Sequence, residues 1–306
     1  MQTATTPLTT IWGKIYNHLM VTQQGQDLVS TCLIGDNPIA EVNVDAVLPI
    51  YSITKTLIAA ALVQLNISTK RTIHDWIPQA LCPHDIHVGQ LLNHSSGLRD
   101  YGALPEYLEA IQSGTLWSDE EFAEQTLMQP LLFPSGAQFA YSNPGYWLLK
   151  RVIEIETGQS LDSALDRLIF KPNEMHATYV ASGQFSERLP EYPAEWVWHG
   201  LVMSTASDIA KFLHAQDPAP LLTNLIGVQQ APSPWVKPHY GNGVMVEPEQ
   251  WYGHNGSGPG YSASAFHFRQ SGVTGCVLRE VSHADSDNAD PAMTDLFNHA
   301  QLVGAL

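Results

Sequence analysis

Basic residues are scarce in this 306-residue chain: 14 Lys and Arg stand against 30 Asp and Glu, for a formal net charge of -16. A surface of that sign repels phosphate backbones and anionic lipid headgroups, so neither a nucleic-acid partner nor a basic membrane anchor is expected. Apolar runs long enough to span a bilayer are missing too; the best candidate, following Thr56, is cut short by Gln64 and Asn66. The first twenty residues lack a basic start followed by an unbroken apolar core, so they do not read as a secretory signal. Cysteine is rare: Cys32, Cys82 and Cys276 are odd in number and far apart, which suits reduced structural thiols and a cytoplasmic location. What is present, 44% hydrophobic and 14% charged residues, is the composition of a globular enzyme with ample core.

Residues 8–20 carry a helical apolar stripe of Ile11, Trp12, Ile15, Leu19 and Met20. Two strand-like runs follow, 27–34 and 39–44, across the turn Gly35-Asp36-Asn37-Pro38. A mostly helical, turn-rich region reaches about residue 215, and a Pro-rich surface connection spans 216–238. Strand patterns then recur at 240–246, 262–268 and 272–280, before a closing helix at 292–303. Strands at both ends of the chain can pair into one antiparallel sheet with the helical block inserted, an α+β arrangement. The expected division is a discontinuous α/β unit, 1–66 and 219–306, around a mainly helical unit, 67–218.

Ser52 and Lys55 lie three residues apart and therefore share one face of a helix. The residues that follow are apolar on nearly every side, which predicts a buried helix. A lysine at the start of such a helix loses solvation, its pKa falls, and it can act as a base. That activates a serine without a histidine. The pattern is short, however, and the same four residues also describe an ordinary helix start.

Two further segments carry chemistry. The turn-rich stretch 134–146 presents Tyr141 and Asn143 two residues apart ahead of an amphipathic helix at 147–156. A tyrosine held between cations can shuttle a proton, and a carboxamide can orient a carbonyl. Alone, the same residues read as a helix cap beside a packed tyrosine. The Gly-rich stretch 251–261, containing His254, Gly256 and Ser257, leads into the strand at 262–268 and can offer a backbone N–H to an oxyanion. His239-Tyr240-Gly241 also fits His-x-Gly, but His254 has glycines on both sides and precedes the clearer strand. Cys82, His84, His87 and His94 cluster without the second ligand pair of a zinc site; no metal or other cofactor is expected, and His87 reads as a helix start. Trp196 and Trp198 read as core or pocket wall.

In order and spacing the set resembles the serine β-lactamase-related superfamily, in its class C β-lactamase-like branch with D-peptidase, amidase and esterase relatives. Ser52-Ile53-Thr54-Lys55, Tyr141-Ser142-Asn143 and His254-Asn255-Gly256 stand for its three active-site elements. Leu91 to Leu98, Phe133 to Tyr146, Ile169 to Met175 and Gly200 to Asp208 resemble further landmarks, so the likeness covers about residues 48–268. The resemblance implies a β-lactamase/transpeptidase-like fold, an antiparallel sheet flanked by helices plus a mainly helical domain, with the active site at the junction. It implies that Ser52 is acylated, that Lys55 and Tyr141 share general-base and general-acid work, and that Asn143 contacts substrate. His254 would lie on the strand lining the site, and the N–H groups of Ser52 and Ser257 would form the oxyanion hole.

The expected function is a serine hydrolase that cleaves a small-molecule ester, amide or peptide, for example a D-amino-acid amide, through an acyl-enzyme. The alternatives are a D-Ala-D-Ala carboxypeptidase or β-lactamase, and a non-catalytic scaffold of the same fold. The β-lactamases usually hold a lysine where this chain has His254, which is mostly neutral near pH 7, so the carboxylate anchor of those enzymes is weakened. The sequence leaves the oligomeric state open.

Overall fold

A computed structural model describes residues 18–24, 27–33, 46–102, 104–229, 231–281, 291–302 and 306. Strands β1 (His18–Gln24), β2 (Asp27–Leu33) and β3 (Leu48–Pro49) lead through a 3-10 turn, Tyr51–Ile53, into α1 (Thr54–Gln64). Helices α2 (Val88–Leu92), α3 (Pro105–Ser113), α4 (Asp119–Gln125), α5 (Asn143–Thr157) and α6 (Leu161–Leu165) follow. Next come β4 (Tyr179–Val180), β5 (Val202–Ser204) and α7 (Ala206–Ala215). The chain then runs through β6 (Ile226–Gly227), β7 (His239–Tyr240), β8 (Met245–Glu247), β9 (Trp251–Gly258), β10 (Tyr261–Phe268) and β11 (Val273–Glu280) to α8 (Pro291–Leu302).

Among the described residues eight strands form one antiparallel sheet in the order β2-β1-β11-β10-β9-β8-β7-β6, so the early strand β1 meets the late strand β11. A small sheet, β3-β5-β4, stands apart from it. The large sheet is covered on both faces, and its sequence alternates accordingly. On β10, Ala263 and Ala265 face the main core while Phe266 and Phe268 face α8. On β11, Cys276 and Leu278 go one way and Val273 and Val277 the other. Ala292, Met293, Leu296, Phe297 and Ala300 make one face of α8, with the Phe297 ring 5.1 Å from Trp251 and 5.4 Å from both Phe266 and Phe268. Helix α1 lies at the centre, buried from Thr54 to Leu62, and packs on α5 and α6. This is the expected α+β arrangement.

Two local expectations are revised. Residues 18–20, the end of the predicted first helix, are strand: pairing of β1 with both β2 and β11 overrides the helical periodicity. Ile11, Trp12 and Ile15, and the run 39–44, lie outside the described residues. The single strand expected at 240–246 is a hairpin, because Gly243 takes a φ of +75° and the Gly241 N–H donates to the Val244 carbonyl at 2.8 Å. A Cβ on Gly243 would meet the Ala59 methyl at 2.6 Å, so the turn can press on α1 only as glycine. The Gly-rich stretch 251–258 is strand β9, in register with β10, and carries His254 on a strand.

Truncating Phe297 to Ala removes the centre of the α8 contact and is expected to cost about 3–5 kcal/mol. Urea denaturation followed by tryptophan fluorescence checks it; an unchanged midpoint would mean that α8 contributes little to holding the sheet.

Candidate active site

Ser52 sits in the middle of the 3-10 turn, and Lys55 is in the first turn of α1. Tyr51, just before the serine, has a φ of +42°, a region that costs a bulky residue on the order of 1–3 kcal/mol. The strain is held from outside: the buried Tyr51 hydroxyl donates to the Pro259 carbonyl at 2.8 Å, beyond the end of β9. Strand β9 itself comes so near that a Cβ on Gly256 would lie 2.1 Å from the Ile50 carbonyl oxygen and 3.1 Å from the Ser52 nitrogen. Gly258 is in the same position against the Tyr51 ring, at 2.4 Å. The glycines of this segment therefore serve close backbone approach, here to the serine.

Lys55 has no solvent exposure. Its Nζ is 2.8 Å from Ser52 Oγ, 2.7 Å from Asn143 Oδ1 and 3.3 Å from His199 Nε2. Burial pushes its pKa well below that of a free lysine, an effect that the Asp100 carboxylate partly opposes. With the Nδ1–H tautomer of His199, a neutral Lys55 amine donates its two N–H groups to Asn143 and His199 and turns its lone pair to the Ser52 hydroxyl. Once protonated, it finds the same three atoms as acceptors. Tyr141 completes the group, donating to Ser52 Oγ at 2.9 Å, with the Lys55 nitrogen 5.0 Å from its ring centre.

The Tyr141 loop is fixed by the segment that contains His94. The carbonyls of His94, Ser95 and Gly97 accept from Ala140, Gly136 and Leu132 at 2.9, 2.7 and 2.8 Å, and His94 Nδ1 accepts from the Ser142 N–H at 3.1 Å. Burial holds His94 neutral, and its ring lies 4.2 Å from that of Tyr141. Asp100 accepts the Asn143 N–H at 2.7 Å, setting the start of α5, whose C-terminus closes on Gly158 at a φ of +65°.

His254 is buried beside Tyr141, their ring centres 6.5 Å apart. Its Nδ1–H faces the Asn255 carbonyl and its Nε2 accepts from the Tyr240 hydroxyl at 2.6 Å. Burial, reinforced by Lys55, lowers its pKa to about 3, while burial keeps Tyr240 protonated. Both ring nitrogens are occupied by the protein, and the ring is neutral at physiological pH. Tyr240, from the rejected His239-Tyr240-Gly241 motif, thus enters as the partner of His254. Asn255 points to the other side of the strand, where it accepts from the Ser264 hydroxyl at 2.8 Å.

The cysteine-histidine cluster separates in space. Cys82 is a buried free thiol, His84 contacts the Gln129 carbonyl at 2.8 Å, His87 precedes α2, and His94 belongs beside Tyr141. Among the described residues no His, Cys, Asp or Glu group could hold a metal ion. Trp196 and Trp198 are core residues, and Trp198 also walls a cleft with Trp117 and Trp147.

A half-buried serine and tyrosine around a buried lysine, between a central helix and strand β9 of an antiparallel sheet, define a β-lactamase/transpeptidase-like protein. The profile of the Beta-lactamase family matches residues 19–296, and the chain belongs to that family. Among curated proteins it is 24% identical over 283 residues to a D-aminopeptidase of Cereibacter sphaeroides, covering 84% of this chain and 55% of the relative. The chain thus spans about half the length of that relative. Among solved structures it is similar to the D-amino acid amidase of Ochrobactrum anthropi SV3, with a TM-score of 0.76, 21% identity and coverage of 95% and 96% of the two chains. It is also similar to the octameric penicillin-binding protein homologue of Pyrococcus abyssi, with a TM-score of 0.74, 21% identity and coverage of 94% and 73%.

His199 has no counterpart among the sequence-derived candidates. It lies 144 positions from Lys55, just ahead of the landmark that was read from Gly200 onward, and no spacing rule links the two. Its burial and the nearby Lys55 hold its pKa well below that of free imidazole. Replacing it with Phe removes one acceptor from the Lys55 ammonium and disfavours that form. The pH midpoint for Ser52 acylation is then expected to fall by about one unit, while His199→Gln, which keeps an acceptor oxygen, moves it less. The pH profile of acylation by an activated ester checks this, and identical profiles would remove His199 from the proton chemistry.

Proposed function

We propose that the protein is a serine hydrolase that cleaves esters or amides through an acyl-enzyme on Ser52, with D-amino-acid amides or small peptides as its substrate class. The observation that carries this reading is the Lys55 amine, buried, depressed in pKa and 2.8 Å from Ser52 Oγ. Ser52 Oγ forms a bond to the carbonyl carbon as its proton passes to Lys55 Nζ. The resulting oxyanion lies between the N–H groups of Ser52 and Ser257, a place kept open by Gly256, with the Asn143 amide against the substrate. Tyr141 gives its phenolic proton to the departing nitrogen or oxygen as the carbon–heteroatom bond breaks, and the Lys55 ammonium restores it. One proton has then moved from serine to leaving group. Water repeats the sequence on the ester and regenerates Ser52.

The named activities of the D-aminopeptidase and D-amino acid amidase support the substrate class, and the neutral His254 favours it over a penicillin or a D-Ala-D-Ala terminus, whose carboxylates call for a cation. Lys55 would be the general base and Tyr141 the general acid, with His254 a neutral wall. The division at residues 66 and 218 belongs to the same proposal, the site lying where the two units meet. Among the described residues no helix is long and apolar enough to cross a membrane, and the buried free thiols Cys82 and Cys276 support the cytoplasm as its compartment.

Intact-mass spectrometry with p-nitrophenyl esters and D-amino-acid amides tests the reading. Wild type is expected to gain one acyl mass, and Ser52→Ala to gain none and lose at least about 10³-fold in turnover. Unchanged activity in Ser52→Ala would refute the mechanism.

A further inference from the structure

Next to Tyr141 lies a cavity of about 650 Å³, within the usual range for small-molecule sites. Its walls come from the sheet edge, from α8 and from the Pro-rich connection, with Phe139, Trp235, Met245, Met293 and Phe297 as the main apolar contributors. Among the described residues no Asp, Glu, Lys or Arg lines it. Among the described residues its lining holds one imidazole, His239, which is engaged through Nδ1 with the Lys237 carbonyl at 2.8 Å. The connection was expected to be only a surface crossing. Pro232, Pro234 and Pro238 restrict its backbone, which favours a preformed wall.

We infer that this cavity receives the leaving group of the substrate, and that this group is uncharged and apolar, such as an aryl or alkyl alcohol or amine, and not one that ends in a free carboxylate. The inference rests on the serine-hydrolase reading of Ser52 and adds which side of the bond the cavity serves. A group that protonates the departing atom must come within hydrogen-bond reach of it. Tyr141 has its hydroxyl 2.9 Å from Ser52 Oγ and also walls the cavity, so the departing group leaves on the cavity side. Ser257, whose N–H would hold the oxyanion, borders the same space. A carboxylate entering it would give up its water without meeting a cation among the described lining residues, and His254 behind Tyr141 and Tyr240 is neutral and already bonded on both nitrogens.

Phenyl acetate and 3-carboxyphenyl acetate test this directly, because both would leave the same acetyl group on Ser52 and differ only in the leaving phenol. In each case the Ser52 Oγ–carbon bond forms, the carbon–aryloxy bond breaks, and the phenol departs with one proton. At pH 8, where an ordinary imidazole is neutral, phenyl acetate is expected to exceed the carboxylated ester in kcat/KM by at least about tenfold. Thr294 is exposed on α8 and lines the cavity, and Thr294→Arg would supply the missing cation. It is expected to narrow the ratio by at least about threefold. Glu106→Gln, an exposed site outside the lining, makes the same change in net charge and is expected to leave the ratio unaltered. A wild-type ratio below about tenfold, or a Thr294→Arg ratio equal to that of Glu106→Gln, overturns the inference while acetyl-Ser52 still forms. If neither ester acetylates Ser52, the hydrolase reading fails and takes this inference with it.

Discussion

The site depends on a lysine that folding removes from water. An ammonium in such a place is costly, and the cost falls either by losing the proton or by meeting acceptors on every side. Lys55 is provided for in both ways: its pKa is depressed, and Ser52, Asn143 and His199 stand within reach of one nitrogen. The acceptors come from three separate parts of the chain, so the lysine also ties together the 3-10 turn, the start of α5 and the segment before β5. On the proposed reading, such a lysine would serve as a base that cycles between two protonation states without moving its neighbours.

Holding the serine against that lysine requires the chain to be crowded. Tyr51 occupies a left-handed conformation, and its ring and hydroxyl are fixed by the end of β9 and by Pro259. Gly256 and Gly258 leave room for this approach, and Gly243 does the same on the other side of α1. Local strain beside Ser52 is thereby supported by packing from distant strands, which keeps its hydroxyl at the surface of the turn while Lys55 stays buried.

Much of the site was legible because its chemistry is local in sequence. Ser52 and Lys55 are one helical turn apart, and Tyr141 and Asn143 flank a single residue, so spacing alone places each pair together. His254 and Gly256 were legible as a pair, but the reason for the glycine was not: it is clearance from Ile50, some two hundred positions away. His199 could not be found by any periodic rule, since its partner is brought to it only by folding. The same limit explains residues 18–20, whose apolar spacing is helical but whose neighbours β2 and β11 impose a strand. The Pro-rich connection shows the converse: its composition predicts a surface crossing, and only tertiary structure makes it a cavity wall.

Two layers of electrostatics bear on the substrate, and they act at different distances. The net charge of -16 is felt over the length of the screening layer and disfavours anions before contact, while drawing in cations such as the ammonium of an amino-acid amide. At contact, the neutral His254 and a cavity whose described lining is uncharged leave a carboxylate without a partner. Both layers select against the carboxylates that a lysine at position 254 would attract. A buried, doubly bonded histidine in place of that lysine is therefore coherent with the surface around it, and on the proposed serine-hydrolase reading it would turn the site toward substrates that are neutral at the departing end.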